Sequence, residues 1–264
     1  MRFIHIADVH LGAEPEAGTA YSKRRPDELW ETFSEVVSLC EQEQTDLLLI
    51  AGDLFHRQPL LRELKEVDYF ISKLTLYGKV VLIAGNHDHI RKDSYYRTFH
   101  GVNVHPLFGN RPQYLVLEHL DTAVYGFSYE AKEILEPRYD GLCAQKKAGI
   151  EILLAHGGDE KHIPINGNAL KRSGFDYVAL GHIHKPQIVV KGMAAYAGAL
   201  EPTDKNDTGK HGFIRGEIRG GETRISFVPF AKREYLHLAL NVDKMMTARS
   251  VMDRILEMIK ERGA

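Results

Sequence analysis

Three apolar runs in the first third of the chain, "RFIHIA", "DLLLIA" and "KVVLIA", constrain the fold most. Each has the length of a buried strand, and each stops abruptly at polar residues. Between them lie two stretches with helical spacing. From Pro26 to Gln44 the apolar positions are 29, 30, 33, 36, 37 and 40, and "LLRELKEVDYFISKLTLYG" is a second amphipathic helix closed by Gly78. Strand, helix, strand, helix, strand predicts βαβ units and a parallel sheet buried on both faces.

After about residue 100 the texture changes. "QYLVLEHL", "TAVYGFSY", "IEILLAHG" and "FDYVALGHIH" follow one another with few long helices between them. Residues 186–228 read as meandering antiparallel strands with a turn at Gly220-Gly221. These features predict a second sheet packed on the first, with helices outside. The final stretch predicts one strand, "REYLHLALNVD", and one amphipathic helix, "KMMTARSVMDRILEMIKERGA". One strand and one helix cannot close a core alone.

Composition matters mainly for what it excludes. The formal charge is −2, from 34 basic and 36 acidic residues. Nucleic-acid binding therefore requires a local basic patch. The small clusters Lys23-Arg24-Arg25, Arg91-Lys92, Lys146-Lys147, Lys171-Arg172 and Lys232-Arg233, taken singly, read as solvated surface. Two cysteines, Cys40 and Cys143, exclude a disulfide framework or a thiolate metal site. The N-terminus lacks a signal-peptide layout and no segment has the length of an apolar membrane span, so a cytoplasmic protein without membrane contact is expected.

Five strand ends share one pattern, an apolar run followed by metal-ligand residue types. They are "IADVH" (Asp8, His10), "IAGDLFH" (Asp53, His56), "IAGNHD" (Asn86, His87, Asp88), "LLAHGG" (His156) and "ALGHIH" (His182, His184). Carboxyl ends of parallel strands gather along one edge of a sheet, which brings such residues together. Carboxylates, an amide and imidazoles without sulfur suit Mn²⁺, Fe²⁺ or Zn²⁺ better than a purely oxygen-liganded Mg²⁺ or Ca²⁺. Seven ligands exceed the needs of one open octahedral ion and suit two ions sharing a carboxylate bridge, an arrangement that clamps a phosphate. Gly52, Gly85 and Gly181 precede these residues where the chain turns off the strand. Of the remaining histidines, His5, His100, His105, His119, His162, His211 and His237 are expected to be structural, and His89 a solvated loop residue.

In this order, "DVH", "GD", "GNHD", "AHG" and "GHIH" resemble the five-motif signature of the calcineurin-like metallophosphoesterases, over residues 8–184. The resemblance implies an α/β fold, a four-layered αββα sandwich. It implies one cation held by Asp8, His10, Asp53 and His184, and a second held by Asp53, Asn86, His156 and His182, with Asp53 bridging. His87 is then the residue that meets the developing charge or leaving oxygen, and Asp88 the partner that fixes its tautomer.

The segments "ADVHLG", "GDLFH" and "GHIHKPQ" with "YAGALEP" look like the SbcD-type nuclease subunit of double-strand-break repair complexes. In that group the residue matching His56 helps place the DNA phosphate. The implied activity is a Mn²⁺-dependent DNA phosphodiesterase, an exonuclease and in some members an endonuclease. The implied partners are DNA, an SbcC-type coiled-coil ATPase and a second copy of the chain, with the helix at 60–77 as a candidate dimer face. Residues 1–232 are expected to form the nuclease domain. Residues 233–264 resemble the start of a small α+β DNA-capping domain, as in a truncated or unusually short member. Two other readings use the same residues: a small-molecule phosphodiesterase or pyrophosphatase, and a scaffold with an inert remnant of the site. A broad basic groove separates DNA from smaller substrates, and metal binding separates an active site from a remnant.

Overall fold

The structure, a computed structural model, describes residues 1–20, 22–76 and 78–261. The three N-terminal runs form strands β1 (Arg2–Ile6), β2 (Leu47–Ala51) and β3 (Lys79–Ile83). They are joined by helices α1 (Arg25–Gln42) and α2 (Leu61–Ser72). Helix α1 starts with a proline in its first turn followed by Asp27 and Glu28, residues that suit the N-terminal end of a helix dipole. Helix α2 is shorter than its sequence pattern, because the chain tightens into a 3-10 turn over Lys73–Leu76; Tyr77 of the expected helix lies outside the described residues.

A short β4 (Val104–Pro106) extends the parallel run to β1-β2-β3-β4. The second half supplies β5 (Gln113–Leu117), β6 (Thr122–Gly126), β7 (Ile150–His156) and β8 (Tyr177–Gly181), then β9 (Gln187–Val190) and β10 (Ala194–Tyr196). These make a second six-stranded sheet in the order β5-β6-β7-β8-β10-β9. The 186–228 stretch is not one meander. Strand β10 lies parallel to β8, and the chain then crosses back so that β11 (Gly212–Arg219) and β12 (Glu222–Pro229) complete the first sheet beside β1. The turn between them is as expected: Gly220 and Gly221 have φ of +59° and +77°, the two positive values that a tight I′ hairpin requires.

Period-two alternation assigns each face its layer. Ile4, Ile6, Leu48, Ile50, Val80 and Leu82 pack outward with Leu29, Phe33, Val36, Leu64 and Val67 of the two helices. Phe3, Leu47, Leu49, Val81 and Ile83 point inward and meet Val124, Ile152, Leu154 and Ala179 of the other sheet. His5, expected to be structural, is buried there and shares a 2.8 Å hydrogen bond with the Tyr177 hydroxyl. The fourth layer is thin. It consists of loops carrying Ile134, Tyr139, Ile163 and Phe175 with one short helix, α3 (Gly167–Arg172), supplying Leu170.

The expected strand over residues 233–243 does not form; within it, Tyr235 makes isolated bridges to Thr208 and Gly209. Its alternating pattern is not used for pairing, and the segment is instead anchored by side chains at its start. Arg233 binds Glu28 and Lys232 binds Glu35, both on α1. Of the helix expected over 244–264, helix α4 forms over Ala248–Glu261 and buries none of its residues, while 262–264 lie outside the described residues. Arg25, grouped by sequence with surface cations, is fully buried and donates to Glu28 and to the Pro202 carbonyl.

Candidate metal centre and active site

The carboxyl ends of β1, β2 and β3 meet those of β7 and β8 at one rim of the sandwich, and all five motifs lie there. The loops leaving β1 and β2 are zipped by backbone bonds: Asp8 N–H to Gly52 O, His10 N–H to Asp53 O, and His56 N–H to Leu11 O. The Asp8 carboxylate reaches across to the second sheet and accepts the His182 N–H at 2.9 and 3.0 Å. Four rim residues have backbone conformations rare for anything but glycine: Asp8 (φ +50°), His10 (+52°), Asp53 (+50°) and His182 (+96°). Each such residue costs about 1–3 kcal/mol and persists only where its surroundings enforce it. Sequence alone shows nothing of this.

Two glycines are required by close approach rather than by turning alone. A Cβ on Gly85 would overlap Asp53 Oδ1 and lie 2.6 Å from His156 Nε2. One on Gly52 (φ +89°) would overlap His156 Nδ1. The buried His156 imidazole occupies the space those two side chains would fill.

Hydrogen bonds fix which ring nitrogens face the centre. His156 Nδ1–H donates to the Ala51 carbonyl at 2.9 Å, so its Nε2 carries the lone pair in the neutral ring. That Nε2 lies 2.9 Å from Asn86 Oδ1 and 3.5 Å from Asp53 Oδ2. His182 donates from Nε2 to Asp159, which turns its Nδ1 toward the same Asn86 oxygen at 3.2 Å. On the other side, His184 donates from Nδ1 to Asp207 at 2.9 Å, and its Nε2 faces His10 Nε2 at 3.1 Å. Asp53 Oδ2 lies between the two groups, 3.9 Å from His10 Nε2.

Lone pairs of neutral imidazoles and an amide oxygen thus converge on two adjacent points, which is the chemistry of cation sites. The ligating atoms of Asp8, His10 and His184 lie within 4.8 Å of one another, as do those of Asp8, Asp53 and His156. The donor set fits divalent cations.

Two of the four imidazoles are lowered and two raised, His184 among the latter, where Asp207 and Asp8 outweigh burial and bring it to about 9. Burial holds His10 well below the usual histidine range and brings His182 down to about 4, favouring the neutral ligand forms. Burial raises Asp8 to about 6. At Asp53 burial acts the same way, but the His156 and His10 imidazoles outweigh it and hold the carboxyl far below its ordinary value. Burial likewise opposes protonation of His156, yet Asp53 pushes it up to about 9. Positive charge is demanded at this point, and a proton on His156 is one way of supplying it.

His56 and His87 stand beside this centre. Their rings are 4.9 Å apart, and His87 lies edge-on to His10 at 4.8 Å. His87 Nδ1–H donates to the His56 carbonyl at 3.0 Å, which leaves Nε2 to take or give a proton. This corrects the expected role of Asp88. That carboxylate is fully buried and accepts the backbone N–H groups of Gly85 (2.7 Å) and Phe55 (3.1 Å), so it pins the loops and does not orient His87. Burial pushes it up to about 7. His89 is buried rather than solvated, its Nδ1 3.1 Å from the Asn86 carbonyl. A cleft of about 260 Å³ opens beside His56, Asn86 and His87, bordered by Arg57, Arg91 and Lys132.

The sequence profile of the calcineurin-like phosphoesterases matches residues 1–186, which include all five strand-end clusters. The chain belongs to this family. Its members are phosphoester hydrolases that use divalent metals. An uncharacterised metallophosphoesterase, YhaO of Bacillus subtilis, is 28% identical over 248 residues, covering 86% of this chain and 60% of that protein. The DNA double-strand break repair protein Mre11 of Aeropyrum pernix is 32% identical over 225 residues, covering 76% of this chain and 54% of the relative. The Mre11 protein of Archaeoglobus fulgidus is 28% identical over 249 residues, with 83% and 54% covered. The chain spans roughly half to three-fifths of the length of these relatives. Among solved structures, TT1561 of Thermus thermophilus shares the fold with a TM-score of 0.50 at 12% identity, covering 86% of this chain and 98% of that one.

Asp159, Asp207 and His162 belong to the site's surroundings and were missed by sequence reasoning. Asp159 follows His156 by three positions and Asp207 lies in "TDKND", but acidic residues in loops are too common to single out. His162, expected to be structural, borders the cleft with its ring 4.5 Å from that of His182.

Proposed function

We propose that the chain hydrolyses DNA backbone phosphodiesters with two divalent cations, Mn²⁺ first among them. Asp8, His10, Asp53 and His184 would hold one ion, and Asp53, Asn86, His156 and His182 the other. The observation that carries this reading is the pair of lone-pair-lined points sharing Asp53 and opening on a cleft edged by Arg57, Arg91 and Lys132. Three cations against the single carboxylate of Glu133 suit an anionic phosphodiester at this cleft. Similarity to the Mre11 proteins supports the same substrate.

Bound there, such cations would polarise the phosphate and lower the pKa of water. The chain's own part falls to His87. With Nδ1–H committed to the His56 carbonyl, its protonated Nε2–H donates to the phosphate oxygen or the leaving oxygen. His56 lines the cleft at the edge where a phosphate enters. Asp88 keeps the Gly85 and Phe55 backbones in place and thereby keeps Asn86 and His56 in position.

By the same resemblance, residues 1–232 are the catalytic unit and 233–264 a separate element. The whole protein then acts in the cytoplasm on DNA ends, as a homodimer with an SbcC-type ATPase. Among the described residues no helix is long and apolar enough to cross a membrane.

The test is degradation of linear DNA by the metal-stripped protein with and without added Mn²⁺, alongside His87→Ala. Mn²⁺-dependent degradation that falls about 10²–10⁴-fold in the variant is expected. Intact DNA with hydrolysis of bis-p-nitrophenyl phosphate would assign the centre to a smaller phosphodiester.

A further inference from the structure

Both imidazoles of Gly181-His182-Ile183-His184 are held from behind by carboxylates that lie outside the five motifs. His182 Nε2–H donates to Asp159 Oδ2 at 2.8 Å, and His184 Nδ1–H donates to Asp207 Oδ2 at 2.9 Å. The two rings therefore use opposite nitrogens for their supports. As a result His182 presents Nδ1 to Asn86 and His156, while His184 presents Nε2 to His10.

Each carboxylate is itself fixed before any ligand arrives. Asp159 Oδ1 accepts the backbone N–H groups of Lys161 (2.8 Å) and His162 (2.9 Å), and the carboxylate also accepts His162 Nδ1–H at 2.9 Å. Asp207 Oδ2 accepts both the N–H (2.8 Å) and the hydroxyl (2.7 Å) of Thr203. Thr203 follows Pro202, whose carbonyl is bound by the buried Arg25 of α1. The supports thus hang on different parts of the fold, the loop after β7 and the loop after β10, and share no residue.

We propose that Asp159 and Asp207 are positioning residues, each dedicated to one of the two cation points, so that the two affinities are set independently. Asp159 sets the point at Asn86, His156 and His182; Asp207 sets the point at Asp8, His10 and His184. A carboxylate behind a ligating histidine fixes its tautomer and raises its basicity, and losing it costs about 10–100-fold in metal affinity. This inference rests on the two-cation reading above.

The test is Mn²⁺ titration of the metal-stripped 264-residue chain by calorimetry, with electron paramagnetic resonance to detect a coupled ion pair. Wild type is expected to bind two ions. Asp159→Ala and Asp207→Ala are each expected to weaken one ion about 10–100-fold and leave the other unchanged. Asp159→Asn and Asp207→Asn should lie closer to wild type, because an amide oxygen still accepts the imidazole N–H. Adding Asn86→Ala to Asp159→Ala should weaken no further ion, whereas adding it to Asp207→Ala should weaken both. Melting temperatures in EDTA report the loop bonds lost with each carboxylate, whereas a merely structural role would not confine the weakening to one ion. Wild-type affinity in both alanine variants, or equal weakening of both ions by each, overturns the assignment. A wild-type chain binding fewer than two ions would instead sink the two-cation reading itself.

Discussion

His10 Nε2 and His184 Nε2 lie 3.1 Å apart although 174 positions separate the residues in sequence. With His184 Nδ1–H given to Asp207, the His184 Nε2 lone pair faces the His10 nitrogen across less than the sum of two metal–ligand bonds. A proton holds the two rings together in the free protein, and a cation can take its place. The consequence is thermodynamic as well as catalytic.

Cation binding should therefore stabilise the fold strongly. At Mn²⁺ concentrations about 100-fold above Kd, linkage gives about 2.7 kcal/mol per site. For a chain of this size that is a rise in melting temperature of roughly 5–10 °C per ion over the EDTA-treated protein. Differential scanning fluorimetry with and without Mn²⁺ checks it, and an unchanged transition would remove the basis for a metal centre here.

Gly85→Ala should abolish metal binding while leaving the sandwich folded. The added methyl would collide with Asp53 Oδ1 and His156 Nε2, so one or both must leave their positions. A displacement of about 1 Å at such a site costs on the order of 10²-fold in activity. Circular dichroism, Mn²⁺ titration and turnover of bis-p-nitrophenyl phosphate together distinguish this from unfolding.

Tyr177→Phe should cost stability without touching activity. His5 is buried between the sheets, where burial lowers its pKa to about 3, so the neutral ring relies on the Tyr177 hydroxyl. Losing that partner leaves a buried polar nitrogen unpaired, at about 1–3 kcal/mol. Tyr177 starts β8 at the end opposite the metal centre, so kcat should be unchanged. Urea unfolding combined with steady-state kinetics measures both.

Acid should loosen the attachment of residues 231–233 to α1. Hydrogen bonds from Arg233, against the opposing effect of burial, bring Glu28 down to about 2. A folded pKa below the unfolded one contributes stability above the ordinary carboxylate range, and that contribution is lost as pH falls toward 2. Glu28→Gln should cost about 1–3 kcal/mol at pH 7, because Arg25 loses one charged hydrogen-bond partner and keeps the Glu201 carboxylate at 3.6 Å. Denaturation curves of the two proteins should converge between about pH 4.5 and pH 2; a constant gap would rule the charge out.

Much of the fold was legible because strand and helix periodicity is local. Runs such as "DLLLIA" declare a strand buried on both faces, and the stripe Leu29, Phe33, Val36, Val37, Cys40 declares a helix with one buried side. The same reasoning failed at residues 233–243, where the alternating pattern is not paired into a sheet and side-chain bonds to α1 anchor the chain instead. The family resemblance likewise gave Asp88 the wrong neighbour, since adjacency in sequence does not tell which way a side chain turns at a strand end.

The sequence by itself determined which residue types gather at the rim. Ligand types placed at the ends of apolar runs must gather on one rim, because parallel strands carry their carboxyl ends to the same edge. Only the tertiary structure decided the second layer: the Ala51 carbonyl behind His156, the His56 carbonyl behind His87, and Asp159 and Asp207 behind the last two imidazoles. Those contacts join loops whose approach depends on how two sheets pack and on four residues forced to positive φ. Neither packing distance nor backbone strain has a local signature in the chain, so which nitrogen faces the metal is a property of the folded protein alone.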